Sequence, residues 1–209
     1  MPAYHNIIFD LGGVIIRLDY QRTAKAFMDL GLQQFNEIYS KARQSHLFDD
    51  FEKGTLPPET FRATLRRHLP ETVSDEQIDG AWNAMLLGIP PHRVDWLRKA
   101  GQKYRIFLLS NTNVIHVSAF TRMADELFGP GVFEGVFEKH YYSCRMGMRK
   151  PDAEIFETVL KENQLDRSKT LFIDDCIQHI EGAVRVGLPA ELLNVEAGEC
   201  IEEKYMHLL

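Results

Sequence analysis

Residues 6–14 read NIIFDLGGV, and this stretch decides which fold the chain can adopt. Residues 7–9 are all apolar, which is typical of a short strand buried on both faces of a parallel sheet. Asp10 follows at once, so we expect it at the sheet edge that binds ligands in open α/β folds. Gly12 and Gly13 permit a tight turn and let backbone N–H groups approach an anion. The stretch predicts a ligand-binding turn, although an ordinary turn has the same residue types.

The chain has 209 residues and a formal net charge of −6, a size compatible with one domain that carries an insertion. This net negative charge gives no sign of a positively charged binding surface, so we expect neither nucleic acid nor a membrane as a partner. No apolar run approaches the ~20 residues of a membrane span, and residues 1–6 lack the basic start of a signal peptide. We therefore expect a cytoplasmic protein. Reduced thiols are expected at the three cysteines, which lack metal-ligand spacing: Cys144, Cys176 and Cys200.

Further short apolar or aromatic runs are typical of strands and alternate with helical patterns. These runs lie at residues 104–109, 140–143, 170–173 and 190–195. Strands that alternate with helices favour a parallel, doubly wound sheet. The sequence therefore predicts an α/β fold.

Only helices are predicted between the first strand region and Pro90. Helical patterns cover residues 21–40 and 58–69, and a further helix start is expected at Ser74. We therefore expect a helical insertion with a core of its own, formed in part by residues 82 and 85–87 rather than by a ligand-binding box. Five residues of the insertion are candidates to face a substrate, with an ordinary turn as the alternative: His46, Phe51, Glu52, Lys53 and Gly54.

Polar residues follow three of the predicted strands, where parallel strands bring their ends together. They are Asp10, Ser110, and the pair Asp174 and Asp175, while Lys150 is expected at the start of a helix with Pro151 near its first position. Each of these residues alone has an ordinary structural interpretation, as a turn residue, a helix cap or a solvated lysine. Together they predict a phosphate site.

Phosphate chemistry gives each of these residues a predicted role. Asp10 is the predicted nucleophile, because a carboxylate can form an acyl phosphate and divide one displacement into two. Mg²⁺ would offset the repulsion between this carboxylate and a phosphate, held by Asp10, Asp174, Asp175 and the Gly12 carbonyl. The remaining phosphate oxygens would be bound by a polar set: Ser110, the Asn111 amide, Lys150 and the turn at Gly12 and Gly13.

The chain resembles members of the haloacid dehalogenase-like hydrolase superfamily. The motifs that carry this resemblance are IIFDLGGVI around Asp10, FLLSNTN with Ser110, MRKPDAEIF with Lys150, and LFIDDCIQHIEGA with Asp174 and Asp175. The resemblance covers nearly the whole chain. It implies a Rossmann-like core over residues 1–19 and 91–209 with an α-helical cap at residues 20–90. It also implies a Mg²⁺-dependent phosphatase.

Gly12 departs from the pattern of the family's phosphatases, which usually have a second aspartate two residues after the nucleophile. Loss of a general acid and base typically costs about 10²–10⁴ in rate. The variant DLGG resembles a subgroup that includes glucose-1-phosphate phosphatases, whose anomeric leaving group needs protonation less. A sugar phosphate such as glucose 1-phosphate is therefore the expected substrate. Water, Asp19 or His46 of the cap are candidates for part of the missing role.

His179 is a second departure, because the family's fourth motif commonly has Asp or Asn at this position. An altered outer contact to the metal is one interpretation. A histidine on the helix surface is the favoured one.

Two alternatives to a phosphatase remain. A 2-haloacid dehalogenase also lacks the second aspartate, but it needs no metal and has no use for Asp174 with Asp175. A catalytically weakened protein that binds phosphorylated ligands has no need of a nucleophile such as Asp10. The sequence therefore favours an enzyme acting on a small phosphorylated metabolite, as a monomer or homodimer.

Overall fold

A parallel sheet of five strands lies at the centre of the computed structural model, which describes residues 4–32, 35 and 46–209. In chain order the strands are β1 (Asn6–Phe9), β2 (Arg17–Leu18), β3 (Leu86–Gly88), β4 (Arg105–Ser110), β5 (Lys139–Tyr142), β6 (Thr170–Asp174) and β7 (Ala190–Leu192). The main sheet has the order β5-β4-β1-β6-β7, with every pair parallel. The four predicted strand regions after β1 are confirmed within a few residues.

Helices cover both faces of this sheet and form the insertion. The helices in the described ranges are α1 (Tyr20–Asp29), α2 (Leu47–Glu52), α3 (Pro58–Arg66), α4 (Asp75–Asn83), α5 (Pro91–Gly101), α6 (Val114–Phe128), α7 (Ser143–Met146), α8 (Ala153–Glu162), α9 (Ile177–Arg185) and α10 (Ile201–Lys204). None of them is long and apolar enough to cross a bilayer.

Strand β1 is fully buried because successive side chains point to opposite faces of the sheet. Ile7 and Phe9 join one apolar cluster with residues of α5 and α6, such as Leu97 and Phe120. Ile8 joins a second cluster with residues of α8 and α9 on the other face. The predicted strand buried on both sides, and with it the Rossmann-like α/β fold, is confirmed.

The helices α1 to α4 enclose a separate apolar cluster, as the predicted insertion requires. Its centre includes Phe51 and Phe61, whose rings stack with centroids 4.1 Å apart. Ser74 begins α4 with a reciprocal capping box, in which its hydroxyl accepts from the Gln77 N–H and the Gln77 side chain accepts from the Ser74 N–H. The cap therefore has a core of its own.

The insertion differs from the prediction at two of its elements. Helix α1 covers the first part of the predicted helix over residues 21–40 and ends at Asp29, and residues 30–32 are not helical. Phe35 is buried, and residues 33–34 and 36–40 lie outside the described residues. The prediction of helices alone up to Pro90 is wrong at β3, which pairs antiparallel with β2. This strand has three residues and ends in glycine, so it is too short to show an alternating pattern.

Candidate functional site

Three carboxylates meet at the carboxyl edge of the main sheet. Phe9 pairs with Leu108 of β4 and Ile173 of β6, so Asp10 and Asp174 leave neighbouring strands at the same level. With Asp175, each offers an oxygen, and these oxygens all lie within 4.8 Å of one another. Parallel register thus brings together the acids that follow strands in the sequence.

Lys150 lies in the middle of these acids with its side chain fully buried. Its Nζ atom donates to Asp10 Oδ1 at 2.5 Å, to Asp174 Oδ2 at 2.6 Å and to the carbonyl oxygen of Leu109 at 2.9 Å. An ammonium group has three protons, so these contacts use all of them. Lys150 therefore binds the nucleophile candidate directly.

The backbone around Lys150 differs from the predicted helix start. Helix α8 begins at Ala153 with Asp152 as its N-cap, so Pro151 lies before the helix and Lys150 lies in the preceding turn. The prediction of a helix N-terminus at Lys150 is wrong. The boundary was misplaced because Pro151 suits the first helical position, but the chain becomes helical only two residues later.

Two contacts fix this turn. The Asn111 side chain donates to the carbonyl oxygen of Lys150 at 2.8 Å and accepts from its N–H at 2.9 Å. Gly182 of α9 packs so closely that an added Cβ would lie 2.6 Å from the Pro151 carbonyl oxygen. The side-chain amide of Asn111 is thus engaged with the backbone of Lys150. The backbone N–H group of Asn111 is left as the candidate phosphate donor.

The acids resist full ionisation without additional positive charge. Burial raises the pKa of Asp10 to about 6, against the attraction of Lys150. Burial, with the neighbouring Asp10 and Asp174, raises the pKa of Asp175 to about 7. For Asp174, burial acts in the same direction, but Lys150 and His179 outweigh it and hold its pKa below the usual range.

The donor set fits a hard divalent cation, since three carboxylates converge around one lysine, and the pKa values of Asp10 and Asp175 stay raised beside it. The backbone supports this arrangement at Gly13, which adopts a φ of +74°. An added Cβ there would lie 2.0 Å from Asp175 Oδ2, so only glycine permits the approach. Gly12 lies in the same turn and is bridged to Ile16.

His179 belongs to the site, and the favoured prediction of a surface histidine is wrong. Its Nδ1 atom lies 3.0 Å from both carboxylate oxygens of Asp174, and its Nε2 atom lies 3.5 Å from Asn111 Nδ2. Helix α9 turns this residue back toward the sheet. Its position in the first turn after two acids was the available signal in the sequence.

Ser110 is also placed at the site, at the end of β4. It is 3% exposed, and its hydroxyl donates to the Asn111 carbonyl oxygen over a long 3.4 Å. Such a weak contact leaves the hydroxyl able to bind another acceptor.

The carboxylates open into a cavity of about 570 Å³ between sheet edge and insertion. Its floor is polar and includes Asp10, Gly12, Ser110, Asn111 and Asp175. Its cap side is largely aromatic or aliphatic, with polar groups between: Gln21, Phe48, Phe51, Glu52, Trp82 and Met85. Trp82 and Met85 belong to the cap core, as predicted, and also line this cavity.

Ion pairs join the insertion to the core beside the cavity. Arg149 donates to Glu52 Oε2 from Nε at 3.1 Å and from Nη2 at 2.8 Å, and its Nη1 lies 3.0 Å from Asp49 Oδ1. Lys53 lies 3.4 Å from Asp152. The sequence did not reveal these partners, because they are about a hundred positions apart and form no local pattern.

Neither candidate for the missing acid and base lines the cavity. Asp19 caps α1 by accepting from the Gln21 N–H at 3.0 Å. The His46 imidazole is 76% exposed and lies 3.3 Å from Asp49. At Gly12, an added Cβ would lie 2.9 Å from the end of the Leu18 side chain, so Leu18 occupies the space beside this position.

Comparison with known proteins agrees with this geometry. A model of the haloacid dehalogenase-like hydrolases matches residues 4–187. The chain belongs to the haloacid dehalogenase-like hydrolase family. The family predicted from the four motifs is thereby confirmed, and with it an enzyme of the hydrolase class.

Relatives within the family carry more specific names. A D-ribitol-5-phosphate phosphatase of Bacteroides thetaiotaomicron is 30% identical over 87% of this chain and 88% of its own length. A sesquiterpene phosphatase of Aspergillus oryzae is 25% identical over 93% of this chain and 92% of its own. A haloacid dehalogenase family enzyme of B. thetaiotaomicron, solved with magnesium and inorganic phosphate, has a TM-score of 0.84 and 37% identity, and the match covers 91% of this chain and 94% of that one.

Proposed function

We propose that this chain is a Mg²⁺-dependent phosphatase that hydrolyses a small phosphorylated metabolite through an aspartyl-phosphate on Asp10. The observation that carries the proposal is the contact of Lys150 with Asp10 beside two further carboxylates on the floor of a cavity. The names of the relatives as phosphatases support it, and so does the related structure with magnesium and phosphate.

A sugar phosphate remains the proposed substrate class, with glucose 1-phosphate as one candidate. The relative that acts on D-ribitol 5-phosphate adds sugar alcohol phosphates to this class. Polar side chains on the cavity wall suit the hydroxyl groups of such substrates, among them Gln21 and Gln178. The domain division, with a cap at residues 20–90, is part of the same proposal.

The residues divide the reaction between them. The Asp10 carboxylate attacks phosphorus, and the bond to the leaving oxygen breaks; water then hydrolyses the acyl phosphate and releases inorganic phosphate. Lys150 holds Asp10 in place and offsets its charge. Ser110 and the backbone N–H group of Asn111 would bind the phosphoryl oxygens. The N–H group of Gly13 donates to the carbonyl oxygen of Ile16 at 2.8 Å, so Gly13 contributes the tight turn instead. When bound by Asp10, Asp174, Asp175 and the Gly12 carbonyl, Mg²⁺ supplies charge that reduces repulsion between phosphate and carboxylate.

Neither alternative explains the three acids. A dehalogenase that works without metal would leave Asp175 with a costly charge beside Asp10 and Asp174. A protein that only binds phosphorylated ligands would gain nothing from a carboxylate held by a buried lysine at the cavity floor. Phosphatase chemistry accounts for both features.

The test is a screen of sugar and sugar alcohol phosphates, with Mg²⁺ and with EDTA, on the wild type and on Asp10→Asn. We expect metal-dependent release of phosphate that the variant loses by at least about 10³-fold, because it lacks the nucleophile. Asp95→Asn is the matched control, since this exposed side chain pairs only with the exposed Arg98 among the described residues. Unchanged activity of Asp10→Asn, or halide release from 2-haloacids in EDTA, would refute the proposal.

A further inference from the structure

The described part of the cavity has no carboxylate where related phosphatases are expected to have their acid and base. Gly12 stands at this position, and Leu18 fills the space beside it. The carboxylates among the described lining residues are those of Asp10, Asp49, Glu52 and Asp175. Asp10 and Asp175 belong to the group that would bind phosphate and metal, so the cap must be considered for the missing role.

Glu52 differs from Asp49 in its surroundings. The Asp49 side chain is 38% exposed, whereas that of Glu52 is 27% exposed and lies at the end of α2 on the cavity wall. A carboxyl group removed from bulk water is the better proton carrier near neutral pH. Of the two cap carboxylates, Glu52 is therefore the stronger candidate.

We propose that Glu52 acts as the general acid and base of the reaction, donating a proton to the leaving oxygen and accepting one from the attacking water. The inference deepens the proposed phosphatase function and rests on it. It places the proton-transfer group on the cap, whereas the nucleophile lies on the core.

The contacts of Glu52 leave one oxygen for this task. Both hydrogen bonds from Arg149 to Glu52 go to Oε2, and no described residue donates to Oε1. Arg149 directly precedes Lys150, which binds Asp10, so the ion pair places Glu52 on the same side of the cavity as the nucleophile. Glu52 and Asp10 both line the same cavity of about 570 Å³, so a bound substrate can contact both groups.

The pKa of Glu52 is raised by its surroundings. Burial raises its pKa, Arg149 opposes this rise, and Asp49 adds to it. His179 acts in the same direction as Arg149, and the Cys144 thiol also lies close enough to interact. Lys53, the next residue, is engaged with Asp152.

The proton balance of the two steps is complete. In the first, Asp10 forms a bond to phosphorus, the bond from phosphorus to the leaving oxygen breaks, and neutral Glu52 gives its proton to that oxygen. In the second, water forms a bond to phosphorus, the acyl phosphate bond to Asp10 breaks, and the Glu52 carboxylate takes a proton from the water. Asp10 and Glu52 return to their starting states, and no further reactant is consumed.

The experiment compares kcat/KM of Glu52→Gln on two substrates, because kcat/KM reports the steps through departure of the leaving group. On an alkyl phosphate such as a sugar alcohol phosphate we expect a loss of about 10²-fold or more, since an alkoxide must be protonated as it leaves. On p-nitrophenyl phosphate, whose leaving group needs no proton, we expect a loss below about fivefold. On the alkyl phosphate we expect kcat/KM of the wild type to fall at high pH as Glu52 loses its proton, and we expect this fall to be absent in Glu52→Gln.

Asp49→Asn is the matched control, because it removes another partner of Arg149 from the same helix. We expect kcat/KM of this variant to change by the same factor on both substrates. Equal losses on both substrates in Glu52→Gln would show that Glu52 only positions Arg149 and would overturn the inference. If Glu52→Gln does not fold, Glu52→Met, which also has no ionisable group, serves the same comparison, and equal losses again overturn it. A failure of the proposed function itself is distinguishable, because the wild type would then hydrolyse neither substrate.

Discussion

Asp175 should destabilise the metal-free protein as pH rises, and its replacement by asparagine should remove this effect. Its pKa is about 7 in the folded protein against an ordinary 3.8. For an acid whose pKa is raised by folding, the stabilising contribution is present below the unfolded value and is lost as pH rises through the folded value. The window therefore runs from about pH 4 to pH 8.

The size of this effect follows from the pKa difference. A difference of about 3 pKa units corresponds to about 4 kcal/mol at full effect. The Asp175 side chain is partly exposed, and solvent screening reduces the expected difference to about 2 kcal/mol. We thus expect the free energy of unfolding of Asp175→Asn, relative to wild type, to increase by about 2 kcal/mol between pH 4.5 and pH 8.

The assay is urea unfolding in EDTA at both pH values, followed at pH 8 with added Mg²⁺. The pKa of Asp10 is raised in both proteins, so its contribution to the pH dependence of stability largely cancels in the comparison. At pH 8, Mg²⁺ should stabilise wild type more than the variant, because the cation offsets the charge of Asp175. A difference between variant and wild type that does not change with pH would refute the assigned electrostatics.

Two further substitutions test the geometry. Gly12→Asp should raise kcat/KM on alkyl phosphates by about tenfold, because the added Cβ would come within 2.9 Å only of the flexible end of the Leu18 side chain, which can move aside. Steady-state kinetics on alkyl phosphates checks this, and an unchanged or lower kcat/KM would contradict it. Gly182→Ala should lower kcat on every substrate by a similar factor and lower the free energy of unfolding by about 1–3 kcal/mol. The reason is that the added Cβ would press on the turn that carries Lys150. A variant with wild-type kinetics and a wild-type unfolding midpoint would disprove that this close packing matters.

The sequence predicts the sheet and its acids because both depend on local order along the chain. Apolar runs identify the strands, and an acid directly after such a run must lie at the carboxyl edge. Parallel register then brings Asp10 and Asp174 together without any long-range information. The same reasoning reaches Lys150 through Pro151, which suits the first position of a helix, and it misplaces the start of that helix by two residues.

The remaining features depend on contacts that no local pattern encodes. The pair of Glu52 and Arg149 joins residues 97 positions apart, and the contact of His179 with Asp174 depends on how α9 packs on the sheet. Strand β3 exists because β2 offers a partner, since three residues ending in glycine have little strand preference alone. Tertiary packing decides such features.

The antiparallel ribbon of β2 and β3 forms the covalent connection between the insertion and the rest of the chain. Arg17 faces Gly88 and Leu18 faces Leu86, so the chain leaves for the cap and returns from it side by side. Everything beyond this ribbon can change in length or shape while the five strands that carry Asp10 and Asp174 stay paired. In this topology the residues between β2 and β3 form one contiguous segment, whereas the carboxylates at the sheet edge depend on strands that lie outside it.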